Sequence, residues 1–256
     1  MVFQHKQSKF SSENLKISLN EEPIDQVKQF NFLGIEVTND LTWKAHINKI
    51  SIKLGRAVGI LYRLKNTLPL QALKEIYHSL VTCRLFYGNL LWGKAPKRVI
   101  TLQKKCLRII TKSRYNDHIE PICKSLSILK VQDIHVMKKL CFYYRYVNNK
   151  LPTYLTTYLF NGNAQNQNLL IPIQNKIAHT VTFNETIRFQ LPIVWQNTPP
   201  LIKDKAMTHS YDSFKKYAKK YIIERYMTEC LNINCKSCIF QRQQDLNKHM
   251  LNHGYF

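Results

Sequence analysis

The stretch QFNFLGIEVTNDLTWKAHINKI, Gln29 to Ile50, decides how the chain is read. Its first half is rich in aromatic and β-branched residues and runs into Leu33-Gly34, a turn signal. Its second half crosses Asn39-Asp40, a candidate helix cap. From Trp43 the apolar positions are Trp43, Ile47, Ile50, Leu54, Val58, Leu61 and Leu64. Steps of three and four put them on one buried helical stripe. Lys49, Lys53, Arg56 and Arg63 recur at similar steps and form a second stripe. No acid stands four residues before or after any of them. Such a face repels itself unless an anion lies on it.

Upstream, residues 1 to 37 read as strand. LKISL alternates Leu15, Ile17 and Leu19 with polar neighbours, and EEP breaks the run before IDQVKQFNFLGIEV. One small antiparallel sheet is expected. Downstream, Pro69 opens PLQALKEIYHSLVTCRLFYGNLLWG, apolar on most sides after Leu73. This predicts a central buried helix, with Tyr87 and Trp92 in the core and not a base-stacking platform. Pro96 opens a third helix with Val99, Leu102, Cys106, Ile109 and Ile110 inward. Lys97, Arg98, Lys104, Lys105, Arg108 and Lys112 cover the rest of it, without one acid. A fourth helix spans about Val131 to Asn148, with Ile134, Met137, Cys141 and Tyr144 on one face. FNGNAQNQNLL then reads as a linker, HTVTF and ETIRFQL as strand-like pieces. SYDSFKKYAKKYIIERYM reads as a further basic helix with Phe214, Tyr217, Tyr221 and Ile222 inward.

The 256 residues include 38 Lys and Arg against 16 Asp and Glu, a formal net charge of +22. An excess of that size favours a polyanionic partner, nucleic acid before a membrane surface. MVFQHKQSKF has no apolar core of a signal peptide, and no apolar run reaches the ~18–20 residues of a membrane span. The expectation is an intracellular protein, nuclear or cytoplasmic, not secreted, with no membrane partner. Cys83, Cys106, Cys123 and Cys141 are isolated in helix-like patterns and read as small core residues.

Near the carboxy terminus, Cys235-x2-Cys238 stands before His249-x3-His253. On a helix the two histidines share a face, so both imidazoles reach one metal ion. Phe240 and Leu246 would form the small core of a C2H2 zinc finger. Ten residues separate Cys238 from His249, where about twelve are usual. Taking Cys230 and Cys235 instead gives a four-residue knuckle and thirteen residues before His249. Both registers stay open for a structural zinc, beside the plainer reading of a basic tail with incidental cysteines.

Several of these stretches in this order resemble one family. FNFLGIEVTNDLTWKAHINKI, then GILYRLKNTLPLQALKEIYHSLVTCRLFYGNLLWG, LQKKCLRIITKSRYNDHIEPICKSLSILKVQDI, YRYVNNKLP and FNETIRFQLPIVWQNTPP resemble the region after the palm in reverse transcriptases of non-LTR retrotransposons, the jockey-like elements of animals in particular. In the last stretch Trp195 is followed by Gln196 and Asn197, and Thr198 stands where leucine is usual. The resemblance covers roughly residues 1 to 226.

It implies the end of a right-hand polymerase. Phe32, Leu33 and Gly34 would resemble its primer grip, and the basic helices its duplex-holding thumb. Lys49, Lys53, Arg56, Arg63, Lys97, Arg98, Lys104, Lys105 and Arg108 are then the candidate phosphate contacts, suited to tracking a backbone without reading bases. Gly34 would let a primer or another backbone approach.

The expected fold is mainly α with a small N-terminal antiparallel β element. Residues 1–38 would form the β element, 39–150 a thumb-like helical bundle, 151–226 a downstream linker and helical region, and 227–256 a zinc-binding tail. The family's chemistry uses a Tyr-x-Asp-Asp hairpin to hold two divalent metals. Asp25, Asp40, Asp117, Asp133, Asp204, Asp212 and Asp245 form no such pair, so no catalytic magnesium site is expected in this chain. Met1 would fall just past the family's active site. The chain would be a catalytically incomplete carboxy-terminal fragment that binds RNA, DNA or their hybrid. Its other expected partners are the missing palm and fingers of the parent polymerase. The alternatives are a host-adopted nucleic-acid-binding protein with a zinc finger, or a remnant without function.

Overall fold

In the computed structural model, residues 1–3, 17–93, 96–160 and 187–227 are described. Four strands precede the helices: β1 (Ser18–Leu19), β2 (Glu22–Pro23), β3 (Gln29–Phe32) and β4 (Ile35–Thr38). They make two separate antiparallel hairpins, β1 with β2 and β3 with β4, where one sheet was expected. The second hairpin pairs Phe32 with Ile35, so its loop is the dipeptide Leu33-Gly34. Both loop residues have positive φ, 47° and 82°. A two-residue loop whose twist matches the strands demands this, and glycine suits it far better than leucine. Asn31 Oδ1 braces the turn by accepting from the Gly34 N–H at 3.0 Å.

Asp40 does not cap the next helix. Its Oδ1 accepts from Thr38 Oγ1 (2.6 Å), Thr42 N (3.1 Å) and Thr42 Oγ1 (2.9 Å), which locks the connecting loop instead. Helix α1 (Lys44–Leu64) therefore starts after Trp43 with no side-chain cap. It buries Ile50, Leu54, Ala57 and Leu61 and lays Trp43, Ile47, Val58 and Leu64 along the margin, as the apolar stripe predicts.

The segment read as one buried helix is broken. It comprises α2 (Leu70–Tyr77), a π-helical turn at His78–Thr82, α3 (Cys83–Phe86) and α4 (Asn89–Trp92). Only Leu73, Tyr77, Val81, Leu85, Asn89 and Trp92 are buried, mostly at four-residue steps. An α-helix drifts when sampled every fourth residue, and the wider π turn takes up that drift. Tyr87 is then extended and Gly88 left-handed, φ 61°. A Cβ on Gly88 would sit 2.8 Å from Ile35 Cδ1, so the helix breaks where β4 docks. Tyr87 is exposed, not core, and Cys83 is exposed too, its thiol donating to the Ser79 carbonyl at 2.6 Å. Cys106, Cys123 and Cys141 are buried as expected, and burial pushes the Cys106 and Cys123 thiols up to about 12.

Helix α5 (Lys97–Thr111) begins after Pro96, followed by α6 (Ile119–Leu126), which the sequence pattern left unmarked, and α7 (Val131–Val147). Gln103 joins three of these pieces from inside the core. Its Nε2 donates to Tyr77 Oη (3.1 Å) and the Leu129 carbonyl (2.9 Å), and its Oε1 accepts from the first-turn amide of Val131 (2.8 Å). A buried amide so fully satisfied fixes one packing arrangement.

Beyond α7 lie α8 (Thr153–Phe160), α9 (Ile187–Gln196), α10 (Pro200–Thr208) and α11 (Tyr211–Glu224). The α9 segment contains most of ETIRFQL, so that piece is helix and not strand. Packing decides it: Leu191 is buried and Trp195 stacks on Tyr143 with ring centres 3.7 Å apart. HTVTF and nearly all of FNGNAQNQNLL lie outside the described residues.

The central helix is α7. One side packs Ile134, Met137 and Cys141 into the core shared by α1 to α6. The other packs Leu140, Tyr143, Tyr144 and Tyr146 against Leu191, Trp195, Ile202 and Phe214 of α9, α10 and α11. The fold class is mainly α with a small antiparallel β element at the amino-terminal end. Among the described residues no helix is long and apolar enough to cross a membrane.

Candidate nucleic-acid interface

Helices α1 and α5 pack side by side, and Arg98 Nη1 of α5 donates to Asn48 Oδ1 of α1 at 3.4 Å. Both helices also carry exposed cations. On α1, Lys53, Arg56 and Arg63 are exposed. On α5, Lys97, Arg98 and Lys105 are exposed and Lys104 is half-buried. Arg108 is partly committed to its own neighbourhood: Nη2 donates to the Asp117 carbonyl at 2.8 Å and the guanidinium lies 5.7 Å from the Tyr115 ring centre.

Lys49 corrects the picture of a face without acids. It is half-buried and ion-paired with Glu36, which comes from β4 and not from its own helix. Glu36 also accepts from Gln29 Nε2 (2.9 Å) and Asn31 Nδ2 (2.7 Å). The hydrogen bond from Lys49, then those from Gln29 and Asn31, hold the Glu36 carboxyl down at about 2. One face of the hairpin is thus polar and turned to α1, while Phe30 and Phe32 on the other face are exposed.

Phe32, Leu33 and Gly34 form the hairpin tip, with Leu33 75% exposed. The Tyr87 hydroxyl donates to the Leu33 carbonyl and fastens the tip to the break between α3 and α4. A Cβ on Gly34 would meet Tyr87 at an ordinary 3.6 Å, so the positive φ, not a close approach, is what calls for glycine there. A cleft of about 350 Å³ opens between hairpin, α1 and α3, walled by Gly34, His46, Lys49, Lys53, Arg84 and Tyr87. His46 is buried and its Nδ1 accepts from the Glu36 amide at 3.3 Å. Burial, then the Lys49 charge, lowers its pKa, which keeps the ring neutral and that acceptor available.

The sequence pattern did not single out Glu36, His46 or Arg84, and it assigned Tyr87 to the core. The Tyr87-Gly88 dipeptide was the readable signal, since a glycine inside an apolar helical run marks a break or a close approach. Among the described residues no cluster of histidine, cysteine, aspartate and glutamate could hold a metal ion. Cys230, Cys235, Cys238, His249 and His253 lie outside the described residues.

Rows of lysine and arginine on adjoining helices, fronted by a hairpin, make the kind of surface that attracts polyanions. The sequence is 30% identical over 124 residues to the RNA-directed DNA polymerase from mobile element jockey of Drosophila melanogaster. That alignment takes in 46% of this chain and 14% of the polymerase, so the chain spans a small part of that relative's length. The similarity is a distant relationship to a retrotransposon reverse transcriptase. No family model and no solved structure matches the chain.

Proposed function

We propose that the chain is the nucleic-acid-holding, thumb-like part of a retrotransposon-type RNA-directed DNA polymerase. It grips the sugar–phosphate backbone of a template–primer duplex along α1 and α5, with Phe32, Leu33 and Gly34 as a primer-grip-like tip. The observation that carries this is the packing of two cation-bearing helices, Lys53, Arg56 and Arg63 on α1 and Lys97, Arg98, Lys104 and Lys105 on α5, with the Arg98–Asn48 contact between them. The similarity to the jockey polymerase supports it. So do Gly55 and Gly59 on α1, where an added Cβ would meet nothing within 4 Å. Glycine weakens a helix interior, and a surface smoothed at that expense suits a partner lying flat on it.

The test is binding of an RNA–DNA hybrid as salt is varied. Wild type should show a steep negative slope of log affinity on log salt. Lys104→Glu with Lys105→Glu should lower affinity ~10-fold or more and flatten the slope by about 2. Salt-insensitive binding, or none, would sink the reading.

The chain by itself neither polymerises nor cuts DNA in this reading. Three of its aspartates serve the fold: Asp40 holds its loop, Asp117 accepts from the Arg114 amide at 2.7 Å, and Asp133 accepts from the Tyr226 hydroxyl at 2.6 Å. Primer extension by the purified chain with magnesium would contradict this. A second reading, a host-adopted nucleic-acid-binding protein with a zinc finger, draws on the Cys235, Cys238, His249 and His253 spacing, with Cys230 as the alternative ligand. It requires one zinc per chain by native mass spectrometry, and loss of that zinc in Cys235→Ser, a cysteine both registers share.

A further inference from the structure

The cleft between the hairpin, α1 and α3 has more in its walls than a grip on phosphates needs. His46 and Ile50 of α1 line it and are buried, so they form its floor. Lys53, Cys83 and Tyr87 line it and are exposed, so they form its rim, with Arg84 half-buried beside them. At about 350 Å³ it stands at the small end of ligand pockets, which run from about 300 to 1,000 Å³. That is room for one nucleotide and too little for a duplex.

The rim is fixed before any ligand arrives. The Tyr87 hydroxyl donates to the Leu33 carbonyl, and Tyr87 Cε1 lies 3.6 Å from where a Cβ on Gly34 would stand. An exposed ring held at its far end costs little further ordering when a flat partner stacks on it. Arg84 is held as well, since its Nη1 donates to the Leu80 carbonyl.

Charge and hydrogen-bonding capacity remain unused there. Lys49 is neutralised by Glu36, but Lys53 makes no ion pair among the described residues. No carboxylate stands among the described residues of the wall. His46 Nδ1 accepts from the Glu36 amide at 3.3 Å, so the neutral ring carries its proton on Nε2. That N–H is buried and has no acceptor among the described residues. A buried donor left so opposes folding, and an acceptor brought into the cleft would relieve it.

A phosphate alone would use the cations and leave Tyr87 and Ile50 idle. An apolar group alone would use the ring and Ile50 and leave Lys53 and Arg84 without a partner. A nucleotide has a flat apolar ring with acceptors on its edge and an anion at its other end, so it uses all of them. Lys53 also belongs to the exposed cations of α1, with Arg56 and Arg63, so a strand tracked along α1 is delivered to the rim.

We infer that this cleft takes one unpaired nucleotide of the bound strand, its base against Tyr87 and Ile50 and its phosphate on Lys53 and Arg84. This inference rests on the reading of the chain as a nucleic-acid-binding protein. It adds that the chain distinguishes a frayed or overhanging end from continuous duplex, because a paired base enters a pocket only by leaving its stack. The site senses that a base is present and not which one, since every base has a flat face.

The test compares the affinity of the full chain for RNA–DNA hybrids of one sequence that end blunt, in one unpaired adenosine, or in an abasic residue in its place, with 5′ and 3′ overhangs made separately. An adenosine overhang of at least one polarity should bind ~10-fold more tightly than the blunt and abasic hybrids. Tyr87→Leu should remove that preference. Tyr87→Phe, which loses the same hydroxyl but keeps the ring, should retain most of it, and equal loss in both variants would overturn stacking on Tyr87. Alkylation of the exposed Cys83 by N-ethylmaleimide, followed by peptide mass spectrometry, should slow with the adenosine overhang and not with the abasic one. A preference without protection of Cys83 would place the nucleotide elsewhere and overturn the cleft. Equal affinity for all the hybrids, with a steep salt slope, would overturn the cleft and leave the grip of α1 and α5 intact. Absence of salt-sensitive binding to any hybrid would overturn both. Adenosine monophosphate that protects Cys83 as well as the overhang hybrid does at the same concentration would overturn the assignment to a strand end in favour of a free nucleotide.

Discussion

The two amino-terminal hairpins and the helical bundle behind them use their apolar residues in opposite ways. In the bundle Leu54, Leu61, Leu73, Val81, Leu85 and Leu107 are wholly buried. In the hairpins Ile17, Leu19, Ile24, Phe30, Phe32 and Leu33 are all more than half exposed. A lone two-stranded ribbon is marginal in water, so the β3–β4 hairpin depends on what it docks against. That docking is polar and local: Glu36 to Lys49, the Glu36 amide to His46, Tyr87 to the Leu33 carbonyl, and one apolar contact of Ile35 over Gly88. The bundle is held by area, the hairpin by a few matched groups. Loss of one atom group should therefore be graded in the bundle and nearly all-or-none at the hairpin.

The largest expected effect tests the bundle side. Leu54→Ala removes a fully buried side chain between α1 and its neighbours and should lower stability by about 2–5 kcal/mol in urea unfolding. Phe30→Ala on the hairpin should change it by no more than about 0.5 kcal/mol, since the ring is already in water. Equal losses would break the comparison. Next in size is Gly88→Ala, which meets Ile35 Cδ1 at 2.8 Å and a φ of 61°. It should cost about 1–3 kcal/mol locally and free the hairpin. Hydrogen exchange should then speed up at the β4 amides while the amides of α5 and α7 stay protected.

How much of this was legible depends on how many partners each segment has. Helix α1 meets the core on one side and water on the other, so its stripe was plain from Trp43 to Leu64. Pro69 and Pro96 marked the two helix starts correctly because their geometry is local. Helix α7 is packed on both sides, and its buried residues follow no single 3.6-residue row. Its face through Ile134, Met137 and Cys141 was readable, while Tyr144, expected on that face, belongs to the second row with Leu140, Tyr143 and Tyr146. The π turn leaves no mark in residue types. ETIRFQL looks like strand in isolation, and the burial of Leu191 with the stack of Trp195 on Tyr143 goes with its helical form. Of the candidate site, the basic faces were visible as spacing. The Glu36–Lys49 pair was not, because it joins residues thirteen apart through a docked hairpin.

Acid should act on the docking before it acts on the core. His46 has a folded pKa below its ordinary 6.5, so the unfolded or undocked chain binds the extra proton. That contribution is complete above about 6.5 and is lost as pH falls below it. Protonation would also put a hydrogen on Nδ1, where the Glu36 amide now donates. Glu36 follows at lower pH: its pKa is about 2 against an ordinary 4.5, so its contribution holds above 4.5 and fades as pH falls towards 2. Protection of the β4 amides from exchange, measured against the intrinsic rate at each pH, should fall below about pH 6.5 in wild type. In His46→Gln, which keeps an acceptor but does not titrate, the onset should move down into the range of Glu36. The same onset in both proteins would show that His46 does not hold the hairpin.

The smallest effect links the comparison to function. Gly55→Ala and Gly59→Ala place methyl groups in open space on α1 and should each stabilise the helix by roughly 0.5–1 kcal/mol. A surface that evolved only to fold would gain by this. A surface on which a duplex backbone lies would lose contact, so the double variant should melt higher and bind the RNA–DNA hybrid several-fold more weakly. If stability rises and affinity does not change, the bound strand does not cross this part of α1, and the grip must be made by α5 and the hairpin tip without it.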